Sequence, residues 1–283
     1  MYAEPSLNAN LLMMLQTVGV PLIASLLGCL FWWFNRQRIS QPLFIVLPAA
    51  ALGFWISFCW IQGRFAFPPQ QAMDVLLPLL VVAVVLELLL PRLSLTRSST
   101  LSILLVIFMG FVTWMLYPIL SRASVVDNSI LLAAIAVFYL ALQFGYDRAA
   151  NNQVQNALGL FLAAAAAPVF ALDGTLKLAQ ISGALATGLG VIWLIGLLSK
   201  SDVLNVRLLT PMMVAALYVA AYQYADVNLS ALLLISLGAL LVVSLRRWWP
   251  IASRWLDNVR VLALSALPFA LAIWLIWPEE SLY

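Results

Sequence analysis

Ten stretches of almost unbroken apolar residues, separated by short polar connections, organise this chain. They cover approximately 9–34, 41–61, 72–90, 100–120, 129–145, 155–172, 179–198, 206–223, 229–245 and 261–277. Each is long enough, or nearly so, to cross about 30 Å of hydrocarbon as an α-helix. The connections are too short to hold a soluble domain. The predicted fold is therefore all-α, a polytopic transmembrane helical bundle of about ten spans forming one unit over 1–283.

The polar positions orient the bundle. Arg64, Arg122 and Lys177 fall on one face of the predicted membrane, and the other eleven of the fourteen basic residues fall on the opposite face. Basic connections stay in the cytoplasm, so the eleven mark the inner face. An even number of spans then places both termini outside. Residues 1–8 hold Glu4, no basic residue and no cleavable signal pattern, so the first run is expected to remain as a helix.

Composition supports lipid as the solvent: 65% of the 283 residues are hydrophobic and 9% are charged. Histidine is absent, which removes the commonest ligand of catalytic metals and the commonest general base near neutral pH. No cofactor, metal site or nucleic-acid partner is expected, and no enzyme activity. The glycines between Ser182 and Gly190 lie within an apolar run, where a phosphate-cradling loop is untenable. Cys29 and Cys59 fall toward opposite faces, roughly 20 Å apart along the membrane normal at about 1.5 Å per residue, too far for a disulfide.

The third run carries the candidate intramembrane polar site, Glu87 and Asp74. A charge inside a bilayer is costly, so an intramembrane Glu is a functional candidate. Glu87 falls roughly 5 Å below the interface, counted at about 1.5 Å per residue. Two readings are open: a structural ion pair or a reach to the headgroups, and a ligand or coupling site. Asp74 lies roughly 20 Å away along the same helix and forms no carboxylate pair with Glu87. Pro68 and Pro69 stiffen the approach to this run, and two readings are open: an extended loop start, which is the favoured one, and a device that positions Asp74.

Three further patterns complete the reading. Gly159, Ala163, Ala167 and Ala171 in the sixth run, with Ala184 and Gly188 in the seventh, predict close packing of those two helices. The polar connection from Tyr146 to Gln153 falls at the midpoint, so 1–150 and 151–283 would be oppositely oriented five-helix halves, as in inverted-repeat transporters. The last inner connection holds Arg246, Arg247, Trp248, Trp249, Arg254 and Trp255. It suits a short helix in the headgroup layer, touching anionic lipid or a neighbouring subunit.

Pro68-Pro69 with Asp74 and Glu87, and the Gln180-x-x-Gly183-Ala184-Leu185-Ala186 opening of the seventh run, resemble bacterial multi-pass inner-membrane proteins without an assigned role. The resemblance implies the bacterial inner membrane and no activity. Ten spans in this length also look like the drug/metabolite exporter superfamily, whose members usually keep both termini in the cytoplasm. The reading favoured by a polar-poor interior is a non-catalytic structural or assembly subunit of a larger inner-membrane complex, with other membrane subunits as partners. The competing reading is a carrier of a small apolar or zwitterionic solute.

Overall fold

The computed structural model describes residues 7–35, 41–65, 67–148, 152–199, 206–245 and 254–277, and the described residues contain helices and no strand. The first predicted run is one rod made of α1 (Leu7–Met14), a π-helical turn (Leu15–Gly19) and α2 (Val20–Phe34). The third is α4 (Leu76–Leu89) between two 3₁₀ turns, Ala72–Val75 and Leu90–Arg92. The others are α3 (Leu43–Gln62), α5 (Arg97–Leu120), α6 (Val125–Arg148), α7 (Asn152–Asp173), α8 (Leu176–Ser199), α9 (Leu209–Ala225), α10 (Leu229–Leu245) and α11 (Arg254–Ile276). Every predicted run thus becomes a helical rod.

Eight of these rods are long and apolar enough to cross a membrane: Asn8–Phe34, Leu43–Gln62, Ala72–Arg92, Arg97–Leu120, Val125–Arg148, Asn152–Asp173, Leu176–Leu198 and Val259–Ile276. The prediction of about ten differs from this number for a physical reason. α9 and α10 have 17 residues each, a rise of about 26 Å, just short of a full hydrocarbon thickness. Among the described residues, the protein is thus all-helical, with eight rods long and apolar enough to cross a membrane.

α9 is the post around which the others stand. Every residue from Leu209 to Ala221 is buried, although its composition does not set it apart. α4, α6, α7 and α8 all pack against it. α2 pairs closely with α3 and α7 with α8, and α8 also packs on α3. α10 and α11 pair with each other and lean on α7.

Two of these contacts seat a proline against a glycine. A Cβ at Gly53 of α3 would lie 3.0 Å from the Cα of Pro21 in α2, and one at Gly238 of α10 would lie 2.1 Å from Cγ of Pro268 in α11. The missing side chain is what lets each pair of helices approach. In lipid, such van der Waals fit supplies association that apolar character alone does not.

The small-residue stripes behave differently from the expectation. α7 and α8 do pack as a close pair, held by Ser182 Oγ donating to the Ala163 carbonyl at 2.7 Å. Yet Gly159 faces Tyr146 and Thr210, on α6 and α9, and Gly188 faces Ala50 and Ser25, on α3 and α2. On α8 it is Gly190 and Gly196, outside the expected stripe, that look across at α7, toward Leu160 and Gln153. Both helices are buried on more than one side, so a small residue serves whichever neighbour is nearest, and spacing alone does not name it.

Arg254 and Trp255 form the first turn of α11 rather than a separate surface helix, because the helix runs unbroken from Arg254 to Ile276. Asp257 is buried there and accepts from Arg260 Nη2 at 2.5 Å, one turn on. Arg246, Arg247, Trp248 and Trp249 lie outside the described residues.

Candidate functional site

The two acids of the third rod sit at opposite ends of it, and each caps a helix. Asp74 occupies the first turn and is fully buried. Its Oδ2 accepts the backbone N–H groups of Gln70 at 2.9 Å and Gln71 at 2.8 Å, and Arg64 Nη2 donates to it at 2.5 Å. The connection after Pro68 and Pro69 is therefore wrapped onto the carboxylate. A carboxylate at a helix N-terminus satisfies orphan amides and opposes the positive end of the helix dipole.

Glu87 does the same for a different helix. It is 3% exposed, and its Oε2 accepts the N–H groups of Leu208 at 2.6 Å and Leu209 at 2.8 Å. Those amides open α9. Among the described residues Glu87 makes no ion pair, and its burial keeps it from reaching the headgroups, so the geometry matches neither structural form expected from the sequence. Arg207 lies within electrostatic reach of it.

The head of α9 is in fact clamped from three sides. Glu87 of α4 takes the Leu208 and Leu209 amides, Asn156 Oδ1 of α7 accepts from Val206 N at 3.4 Å, and Gln143 Nε2 of α6 donates to the Arg207 carbonyl at 3.5 Å. A helix end buried in apolar surroundings leaves four amides without intrahelical partners, and each unpaired one is costly. Glu87 of α4 supplies an acceptor to two of them, Asn156 of α7 accepts the Val206 amide just before, and Gln143 of α6 pairs the adjoining Arg207 carbonyl.

A polar vestibule of about 350 Å³ opens beside this clamp. Its walls are the start of α5 (Arg97, Thr100, Leu104), the end of α6 (Gln143, Asp147) and the approach to α9 (Arg207, Leu208). Arg97 Nη2 pairs with Asp147 Oδ2 at 3.3 Å, and Gln143 Nε2 reaches Asp147 Oδ1 at 3.3 Å. Tyr139, Gln143 and Asp147 recur every four residues, so they share one face of α6. Tyr139 is fully buried, its hydroxyl has no hydrogen-bond partner, and it lies within electrostatic reach of both Asp147 and Glu87. This polar stripe runs from the vestibule wall toward the interior of the bundle.

Two apolar spaces lie elsewhere. A void of about 20 Å³ sits between α3, α4, α8 and α9, walled by Leu47, Ala50, Phe54, Leu80, Gly188 and Leu209 among others. An apolar groove of about 490 Å³ runs between α6, α9 and α10, with Asp127 and Gln223 in its lining.

Sequence reading singled out Glu87 and Asp74, and the structure does not bring them together. It missed Gln143, Asp147 and Tyr139. The signal was present as three polar-capable residues at helical spacing in an apolar run. The head of α9 carried a fainter one, Pro211 in its first turn, where proline needs no amide partner. No family model matches the chain, and no curated protein or solved structure is significantly similar to it.

Proposed function

We propose that this chain carries a small solute across a bacterial inner membrane. On this reading all ten rods cross, both termini face outward, and 1–150 and 151–283 act as two five-helix halves. The observation that carries it is the vestibule, which opens among the arginines of the expected inner face and stops at the clamped head of α9. A helix N-terminus buried near the expected inner face, with its amides held by a side chain from the other half, shares with transporter sites the use of a helix end turned toward a polar cavity.

The pairing of helices supports the same reading. α3 and α8 hold the second place in each half, α4 and α9 the third, and these four enclose the central void. α2 with α3 and α7 with α8 repeat one close pair in each half. Motion of one half against the other would open the void to alternate faces. The test is counterflow in proteoliposomes loaded with a panel of small solutes. Accumulation of a labelled solute driven by its own gradient is expected, and a panel that yields none in fully folded protein overturns the carrier.

A second reading, a non-catalytic subunit of a larger membrane complex, is favoured by a different observation. Both acids of the third rod are engaged in helix caps, which is scaffold work. Purification in mild detergent after crosslinking in cells separates the two: a stoichiometric partner favours the subunit, and a lone monomer removes it.

A further inference from the structure

We propose that the vestibule between α5, α6 and the head of α9 binds a small zwitterion bearing both an ammonium and a carboxylate, an α-amino acid in its simplest form. Gln143 is fully buried and lines this space. Its Nε2 faces two acceptors, Asp147 Oδ1 and the Arg207 carbonyl, which fixes which end of the amide is nitrogen. The other end, Oε1, is buried and has no partner. A buried acceptor without a donor is costly, and it marks where a donor is meant to arrive.

The charges around it divide into two poles. Asp147, with a side chain 12% exposed, adds negative charge beside Gln143 on the α6 side, against its Nε2. The cation left unengaged in this space is Arg207. Arg207 makes no hydrogen bond or ion pair through its guanidinium among the described residues, and Arg97 spends one nitrogen on Asp147 while its side chain stays 59% exposed. A planar guanidinium with free N–H groups matches a carboxylate in two-point contact.

A plain anion entering this space meets the Asp147 carboxylate. A plain amine meets two guanidiniums. Only a ligand carrying both charges satisfies both poles, and about 350 Å³ lies within the range of small-ligand pockets. Calling that ligand a substrate rests on the carrier reading, whereas binding itself does not.

The experiment is equilibrium binding to the purified full chain in nanodiscs, with labelled α-amino acids of increasing side-chain size. Each is compared with its N-acetyl derivative, which lacks the ammonium, and its decarboxylated amine. At least one amino acid is expected to bind about tenfold or more tighter than both analogues, since each analogue leaves one pole unpaired. Arg207→Gln, at an exposed position, is expected to cost the amino acid about tenfold while leaving the amine unchanged. Thermal unfolding of Arg207→Gln confirms that it is folded, and Asp147→Asn serves as the second variant, weakening the amine and the amino acid but not the N-acetyl derivative. Absence of amino-acid binding, equal binding of the analogues, or indifference to Arg207→Gln overturns the assignment. Binding without counterflow leaves the site standing and removes the carrier, and counterflow of a solute lacking either charge does the reverse.

Discussion

Glu87 and Leu208 lie 121 positions apart in sequence and meet at 2.6 Å, carboxylate oxygen to backbone amide. The contact, with its neighbour at Leu209, makes an acid on one helix the N-terminal cap of another. Glu87→Ala leaves two buried amides unpaired and should destabilise by about 2–5 kcal/mol. Glu87→Gln keeps one acceptor and loses the charge opposite the α9 dipole, at about 1–2 kcal/mol. Thermal and denaturant unfolding in detergent measure both. Equal losses in the two variants would mean that hydrogen bonding to the amides is not what Glu87 contributes.

At the other end of the rod, Asp74→Ala removes the partner of two amides and of Arg64 together. Arg64 is partly exposed and is rehydrated by water when the acid is lost, so the cost should be about 2–4 kcal/mol, most of it from the amides. Arg64→Gln should cost less than half of that. Unfolding of the two single variants decides the order, and a larger loss from Arg64→Gln would make the ion pair, not the cap, the dominant contribution.

Gly238→Ala places a Cβ 2.1 Å from a proline ring atom that cannot rotate away. The α10–α11 contact must open, at about 1–3 kcal/mol. Gly110→Ala in α5 is the control, since nothing lies within 4 Å of the added atom. It should be neutral or stabilising by up to about 1 kcal/mol through helix propensity alone. Opposite shifts in unfolding temperature are expected, and a shared sign would sink the packing argument.

The rods were legible in the sequence because each apolar run is its own evidence: lipid demands an uninterrupted length, and the chain supplies it. Glu87 was legible as an exception within a run. Its partner was not. Leu208 and Leu209 contribute backbone N–H groups, which every leucine has, so nothing in their side chains announces the contact. Gln143 and Asp147 fall in the last two turns of α6, where polar residues read as an ordinary helix end. α9 was hardest to weigh, since a helix enclosed by protein and one bathed in lipid are equally apolar. α11 began seven residues before its predicted start because Asp257 and Arg260 neutralise each other within the helix, and a pattern-based reading counts them as loop.

Orientation is testable apart from function. With Cys59 replaced, a single cysteine at Ser99, exposed beside the start of α5, should be shielded from an impermeant thiol reagent in intact cells. One at Ser230, exposed at the start of α10, should be labelled. The reverse pattern would invert every inner and outer assignment, the vestibule's included.

The burial of α9 from Leu209 to Ala221 has a consequence for how the protein is made. Synthesis runs at about 5 to 20 residues per second, so α4 emerges roughly 6 to 24 s before the amides that will receive its carboxylate, 121 residues later. For that interval Glu87 has no helix to cap and must be kept near water or held by the insertion machinery. The third rod made is therefore among the last to settle, and it settles only when α9 slides into a space its neighbours have left open. A chain stopped after α8 would hold every element of that space and an acid with nothing to close it.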